Sequence, residues 1–269
     1  MAKRRSVALA ECTNQEVARY LETRDTVLIP VGATEQHGPH APLATDTLIA
    51  AEVSERLARR LDALVAPAIP YGVSADHRGF QGLCYLSAPV LAALVGDICL
   101  SLAEVGFRRI IVVNGHAGNL PALAVCAGDL AARLPPGTVV YPLNYWDGLT
   151  AEKAAQYVSR EVGLHGNVGE TSVVMAVDGS LVDLDAAVAE TPKFPMADWD
   201  AAWAVFYRSA RPGPGVVNRI SRSGVWGDPT NASADKGLAY LHDIEDSCTK
   251  LITELERLET AFRLPTEPK

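Results

Sequence analysis

Several things are scarce in this chain of 269 residues. Aromatic residues make up 6% of it and methionine occurs 3 times, so a core must come mainly from aliphatic side chains. The 5 cysteines (Cys12, Cys84, Cys99, Cys126, Cys248) are odd in number, irregularly spaced and never in a CxxC pair. That argues against a disulfide framework and a zinc–thiolate site, and for reduced thiols in a cytoplasmic protein. No stretch approaches ~20 consecutive apolar residues, so no membrane span is expected. The opening MAKRRS is basic, but the VALAECTNQE after it is too short and too polar for a secretion signal. Positive charge is also short: 24 Lys and Arg against 32 Asp and Glu leave a net charge of −8. A nucleic-acid partner needs a basic face, which disfavours that class.

What remains is ordinary globular chemistry, 48% hydrophobic and 21% charged. A chain of this length should bury roughly 75% of its unfolded surface, enough for a core without staples. Only 6 histidines occur, and five of them (His37, His40, His77, His116, His165) sit in short polar motifs near glycines or prolines. The spacing of apolar residues predicts strands at Thr26–Val31, Ala63–Ile69, Arg108–Val113 and Val139–Leu143. Helices are expected from Asp46 as N-cap to about Leu61, from Ser87 or Pro89 to Gly106, and at Leu120–Leu134, Ala151–Val162, Glu170–Val177, Ala197–Ala210 and Ser233–Phe262. Such alternation argues for a parallel sheet flanked by helices. No linker interrupts it, so residues 1–269 read as one domain.

Ligands in such sheets bind beyond the carboxyl ends of the strands. Two polar loops leave there. The first holds Glu35-Gln36-His37-Gly38 and then Asp46; the second is Asn114-Gly115-His116-Ala117-Gly118-Asn119. A third motif is His165-Gly166-Asn167-Val168-Gly169-Glu170. Each residue has a plainer role when taken singly: a surface loop with a capping Asp46, a hydrogen-bonded core His116, a first-turn acid at Glu170. Together, Glu35, His37, Asp46, His116 and Glu170 suffice for two divalent ions (Zn, Mn or Fe) about 3.5–4 Å apart. His165 is then left as a proton carrier. Ser74, His77 and Gly118 are candidate substrate contacts at the same edge.

With these motifs, and with LVDLD (Leu181–Asp185) and GDPTNASADKG (Gly227–Gly237), the sequence resembles the creatininase (creatinine amidohydrolase) family from about Val27 to Gly237. The resemblance implies a three-layer α/β/α sandwich with a mostly parallel sheet, a binuclear metal centre and a hexamer. It also implies Glu35, Asp46 and His116 on one ion, His37 and Asp46 on the other with Asp46 bridging, and His165 as the catalytic histidine. Two positions depart from creatininase itself. A metal-binding Glu is expected where Gly118 stands, and Glu170 is the expected replacement unless water fills the place. A tryptophan over the substrate is replaced by Glu161. Creatinine is therefore disfavoured, and the NGHxGN form is similar to relatives acting on formamides, on peptides that mature into redox cofactors, and on cyclic keto-sugars. The expected activity is hydrolysis of a cyclic amide or formamide-type C–N bond by a metal-bridging hydroxide. The alternatives are hydrolysis of a cyclic ketone C–C bond and a non-catalytic accessory role.

Overall fold

Thr26–Val31 (β1) is built of β-branched and aliphatic residues, and all of it is buried. A run with no polar face belongs in the middle of a covered sheet. The computed structural model, which describes residues 6–159, 161–192 and 213–262, places it there. β1 lies between Leu64–Val65 (β2) and Arg109–Asn114 (β3), and β3 pairs with Val139–Asn144 (β4). All three pairings are parallel. Val31 is opposite Asn114, so the loops after β1 and β3 start from the same rung at the carboxyl edge.

Side chains alternate across these strands and divide the core. Val27, Ile29, Val31, Ile110 and Val112 pack against Asn14–Leu21 (α1), Ala88–Glu104 (α3) and Leu120–Leu130 (α4). Leu28, Ile111 and Val113 pack against Thr45–Leu61 (α2), Val168–Asp178 (α6) and the C-terminal helix Ala234–Phe262. Helices thus cover both faces of a mostly parallel sheet, giving the expected three-layer α/β/α sandwich.

Several boundaries differ from expectation for identifiable reasons. β2 shrinks to two residues because Pro67 and Pro70 lack the N–H a ladder needs. The helix at Ala151 (α5, Ala151–Tyr157) stops before Val162, since Val158 is already extended. α6 begins at Val168, before Glu170, because the side chain of Asn167 accepts from the Glu170 N–H and caps it. His165 belongs to a two-stranded antiparallel sheet of Gly163–His165 (β5) and Trp226–Gly227 (β6). The helix expected at Ala197–Ala210 lies outside the described residues. All five cysteines are free thiols, and no described helix is long and apolar enough to cross a membrane.

Candidate metal centre

Asp46 was expected to cap its helix. Instead α2 starts at Thr45 behind Ala44, and no side chain caps it. Asp46 lies within the first turn and turns its carboxylate toward the sheet edge. Two glycines make this approach possible. A Cβ on Gly32 would lie 2.4 Å from Thr47 Cα, and one on Gly115 would lie 2.3 Å from the Asp46 carbonyl oxygen. The loops after β1 and β3 therefore press directly on the start of α2. Asn119 ties them together: its Nδ2 donates to Gly32 O and Asn114 Oδ1, both at 3.1 Å, and its Oδ1 accepts from Val73 N–H at 2.9 Å.

Two histidines meet the two oxygens of Asp46. His37 Nε2 is 3.1 Å from Oδ1, and His116 Nδ1 is 3.1 Å from Oδ2. The other nitrogen of each ring faces a backbone carbonyl: His37 Nδ1 donates to Glu35 O at 3.3 Å, and His116 Nε2 donates to Val73 O at 3.1 Å. A carbonyl only accepts, so those nitrogens carry protons, and the nitrogens facing Asp46 are the ones that could give theirs up to a cation. Backbone-anchored imidazoles of this kind are how metal-binding histidines are usually oriented. Glu35 Oε2 lies 3.4 Å from His116 Nε2, and Oε1 lies 3.4 Å from His77 Nε2. Candidate ligand atoms of Glu35, Asp46 and His116 lie within 4.8 Å of one another, as do those of His37, His165 and Glu170, and those of Glu35, His77 and His165.

These donors fit divalent cations. Glu35 Oε2, His37 Nε2 and Asp46 Oδ2 are buried without a hydrogen-bond partner. Orphaned polar atoms of that kind are costly unless an ion or an ordered water satisfies them. Burial opposes a charged His37, but Asp46, Glu170 and Glu35 outweigh it and raise the ring to about 9. Burial likewise opposes a charged His116, which Glu35 and Asp46 raise to about 10. Burial works against the Asp46 carboxylate too, yet the two imidazoles hold it well below the usual range. Glu170 is pushed up to about 7 by burial, against the pull of His37. Such a cluster holds protons where a metal would otherwise neutralise it.

The remaining candidates fall out differently. Glu170 Oε2 accepts from Gly166 N–H at 2.7 Å, so one carboxylate oxygen is fixed. His165 Nε2 donates to Gln36 O at 2.7 Å, leaving Nδ1 3.9 Å from Glu35 Oε1. Burial, then His37 and His77, keep that ring neutral. His165 belongs to two of the candidate ligand groups and also lines the cavity. His77 and Gly118 line the cavity described below. Ser74, expected at the substrate, is instead fully buried, with its Oγ 3.4 Å from His116 Nε2. Gly118 is occupied space: a Cβ there would lie 2.2 Å from both His116 Nε2 and Val73 O. His40 is buried with Nε2 2.9 Å from Thr171 Oγ1.

Gln36 was part of the first motif without a role of its own, yet its side chain contacts two site histidines. Its flanking position between two candidate ligands was the available signal. From the segment expected as a loop, Gly224–Thr230, which could cover the site or build a subunit contact, Gly224, Val225 and Trp226 line the cavity, together with Ser221 before it. That cavity measures about 570 Å³ and contains Glu35, Asp46, His116, His165 and Glu170. Its apolar lining includes Val158, Leu164, Val217, Ile220 and Trp226, with Trp146 beside them.

A carboxylate–imidazole cluster at the carboxyl edge of a parallel sheet, beside a cavity of about 570 Å³, defines a metal-binding α/β protein of the hydrolase kind. The chain belongs to the creatininase family, whose pattern (creatinine amidohydrolase) matches residues 10–252. It is 32% identical over 258 residues to the mycofactocin precursor peptide peptidase of Mycolicibacterium smegmatis, covering 93% of this chain and 94% of that one. It is 36% identical over 213 residues to the creatinine amidohydrolase of Pseudomonas putida, covering 72% and 81%. The 3-dehydro-scyllo-inosose hydrolase of Thermotoga maritima is 26% identical over 266 residues, covering 94% and 85%. A crystal structure of creatininase superposes with a TM-score of 0.77 at 28% identity, covering 93% of this chain and 98% of that one. Matching creatininase structures include a zinc form, a manganese form and a complex with creatine.

Proposed function

We propose that this protein is a binuclear metal hydrolase of amide C–N bonds, acting on a cyclic amide, a formamide-type amide or the amide of a short peptide rather than on creatinine. The observation that carries the reading is the pair of histidine nitrogens facing the two oxygens of one buried aspartate. Glu35, Asp46 and His116 would hold one ion; His37, Asp46 and Glu170 would hold the other. Zinc, manganese or iron suits this donor set. When bound, two such ions supply an activated water and a Lewis acid for the carbonyl.

The chain's own residues do the rest. His165 takes a proton at Nδ1 and returns it to the leaving nitrogen, while its Nε2–H stays on Gln36 O. His77 and Gly118 form the wall nearest the ligand histidine. The apolar lining excludes water and receives the non-reacting part of the substrate. The peptidase relatives and a cavity of about 570 Å³ favour a larger amide than creatinine. Glu161 lines the cavity where creatininase is expected to place a tryptophan over its ring-shaped substrate. The second reading, hydrolysis of a cyclic ketone C–C bond, is favoured by the inosose hydrolase relative. We also read the protein as a cytoplasmic homo-oligomer, with a hexamer as the form to test by light scattering.

Metal analysis after loading with zinc or manganese, joined to a screen of lactams, formamides, short peptides and cyclic ketones, tests this. Two ions per chain and an amine product are expected. A carboxylate product without an amine would shift the reading to the ketone. Less than one ion per chain would leave an accessory role.

A further inference from the structure

Gln36 lies between two candidate ligands and is 6% exposed. Its carboxamide is oriented by the backbone: Oε1 accepts from Gly38 N–H at 2.8 Å. The amide nitrogen, a donor only, then faces Gly224 O at 3.1 Å and His77 Nδ1 at 3.0 Å. His77 Nδ1 must therefore accept, and its proton sits on Nε2, 3.4 Å from Glu35 Oε1. His165 is set by the same residue through its main chain. Its Nε2 lies 2.7 Å from Gln36 O, so the proton is there too, and the amide nitrogen 3.1 Å away is a packing contact. Both rings carry hydrogen on Nε2, but they face Glu35 with opposite ends. His77 presents an N–H; His165 presents a lone pair.

We propose that Gln36 is a positioning residue that fixes these opposite presentations, making His77 a donor that orients Glu35 and His165 an acceptor open to the cavity. The segment it binds is built around it. Gly224 has φ +84°, and a Cβ there would lie 1.9 Å from Gln36 Oε1. One amide thus links the centre to the cavity wall. His77 is thereby unavailable as a metal ligand, although it belongs to one of the candidate groups. The consequence for metal binding rests on the proposed function; the tautomer assignment does not.

Two-bond proton–nitrogen correlation spectra of histidine-labelled, metal-free protein separate the tautomers, with a His77→Gln variant to assign the His77 signal. In the wild type both His77 and His165 should carry hydrogen on Nε2. Gln36→Glu can only accept, so His77 should move its proton to Nδ1, while His165, held by the residue-36 carbonyl, stays unchanged. Should that variant fail to fold, Gln36→Met serves instead and should leave His77 a mixture of tautomers. A wild-type His77 protonated on Nδ1, or a His77 tautomer indifferent to both variants, would overturn the proposal. Zinc titration of Gln36→Glu should show roughly 10–100-fold weaker binding. Wild-type protein that binds no zinc but shows the expected tautomers would sink the metal reading and leave the positioning role standing.

Discussion

Glu35, His37, Asp46 and His116 hang from β1, α2 and β3, whereas His165 and Glu170 come from β5 and α6. The first four are 1%, 0%, 2% and 7% exposed. The His165 side chain is 17% exposed, and its strand spans three residues with a register shift against β6. The sheet half is fixed by a six-residue parallel register and by glycines that seat two loops on one helical turn. The other half depends on a short strand, a capped helix start and the Gln36 carbonyl. The rigid half suits fixed ligand candidates, and the other half brings to it one further ligand candidate, Glu170, and the proposed proton carrier His165.

The comparison breaks most completely at Asp46. Asp46→Ala should lose both ions and all activity, because its two oxygens face His37 and His116, the histidines proposed for different ions. Elemental analysis that still finds two ions per chain would disprove bridging. His165→Ala should reduce turnover by ~10²–10⁴-fold with metal content unchanged. If the metal leaves with the side chain, His165 is a ligand and the division between halves fails. Gly118→Ala should displace the His116 ring and weaken zinc binding by roughly 10–100-fold in a chelator competition. Unchanged affinity would mean that the rigid half yields more easily than its contacts imply.

The smallest effect is in protons. In the metal-free protein His37 is raised to about 9 and His116 to about 10 from 6.5. Their stabilisation is complete below 6.5 and fades as pH rises through those values. Glu170, raised from 4.5 to about 7, removes stability across that lower interval as pH rises. Metal-free protein should therefore lose melting temperature from weakly acidic to alkaline pH, while the loaded protein changes less. Zinc binding at pH 7.5 should release a proton from each imidazole, measurable by calorimetry in buffers of different ionisation enthalpy. A release of none would contradict the charge balance described for the cluster.

Legibility in the sequence followed the same divide. β1 was readable to the residue because an unbroken apolar run has one use in an α/β chain. β3 shifted by a single residue, and the polar loops behind both strands carried the ligand candidates. β5 and β6 left no periodic signal, being too short to show one; only their pairing defines them. Asp46 misled as a cap because acids are common at helix starts for purely local reasons. Its true partners lie on other segments, which local pattern does not report. The burial of Ser74 beside His116 was likewise not legible, since a polar residue after a strand reads as accessible from local pattern alone.

The crowding at Gly118 bears on descent. A carboxylate at position 118 and the present His116 orientation exclude each other, because the first atom of any side chain falls on the ring and on Val73 O. Any side chain at position 118 therefore requires the His116 ring to sit elsewhere. In related sequences that carry a side chain at position 118, the seat of the corresponding histidine should differ as well.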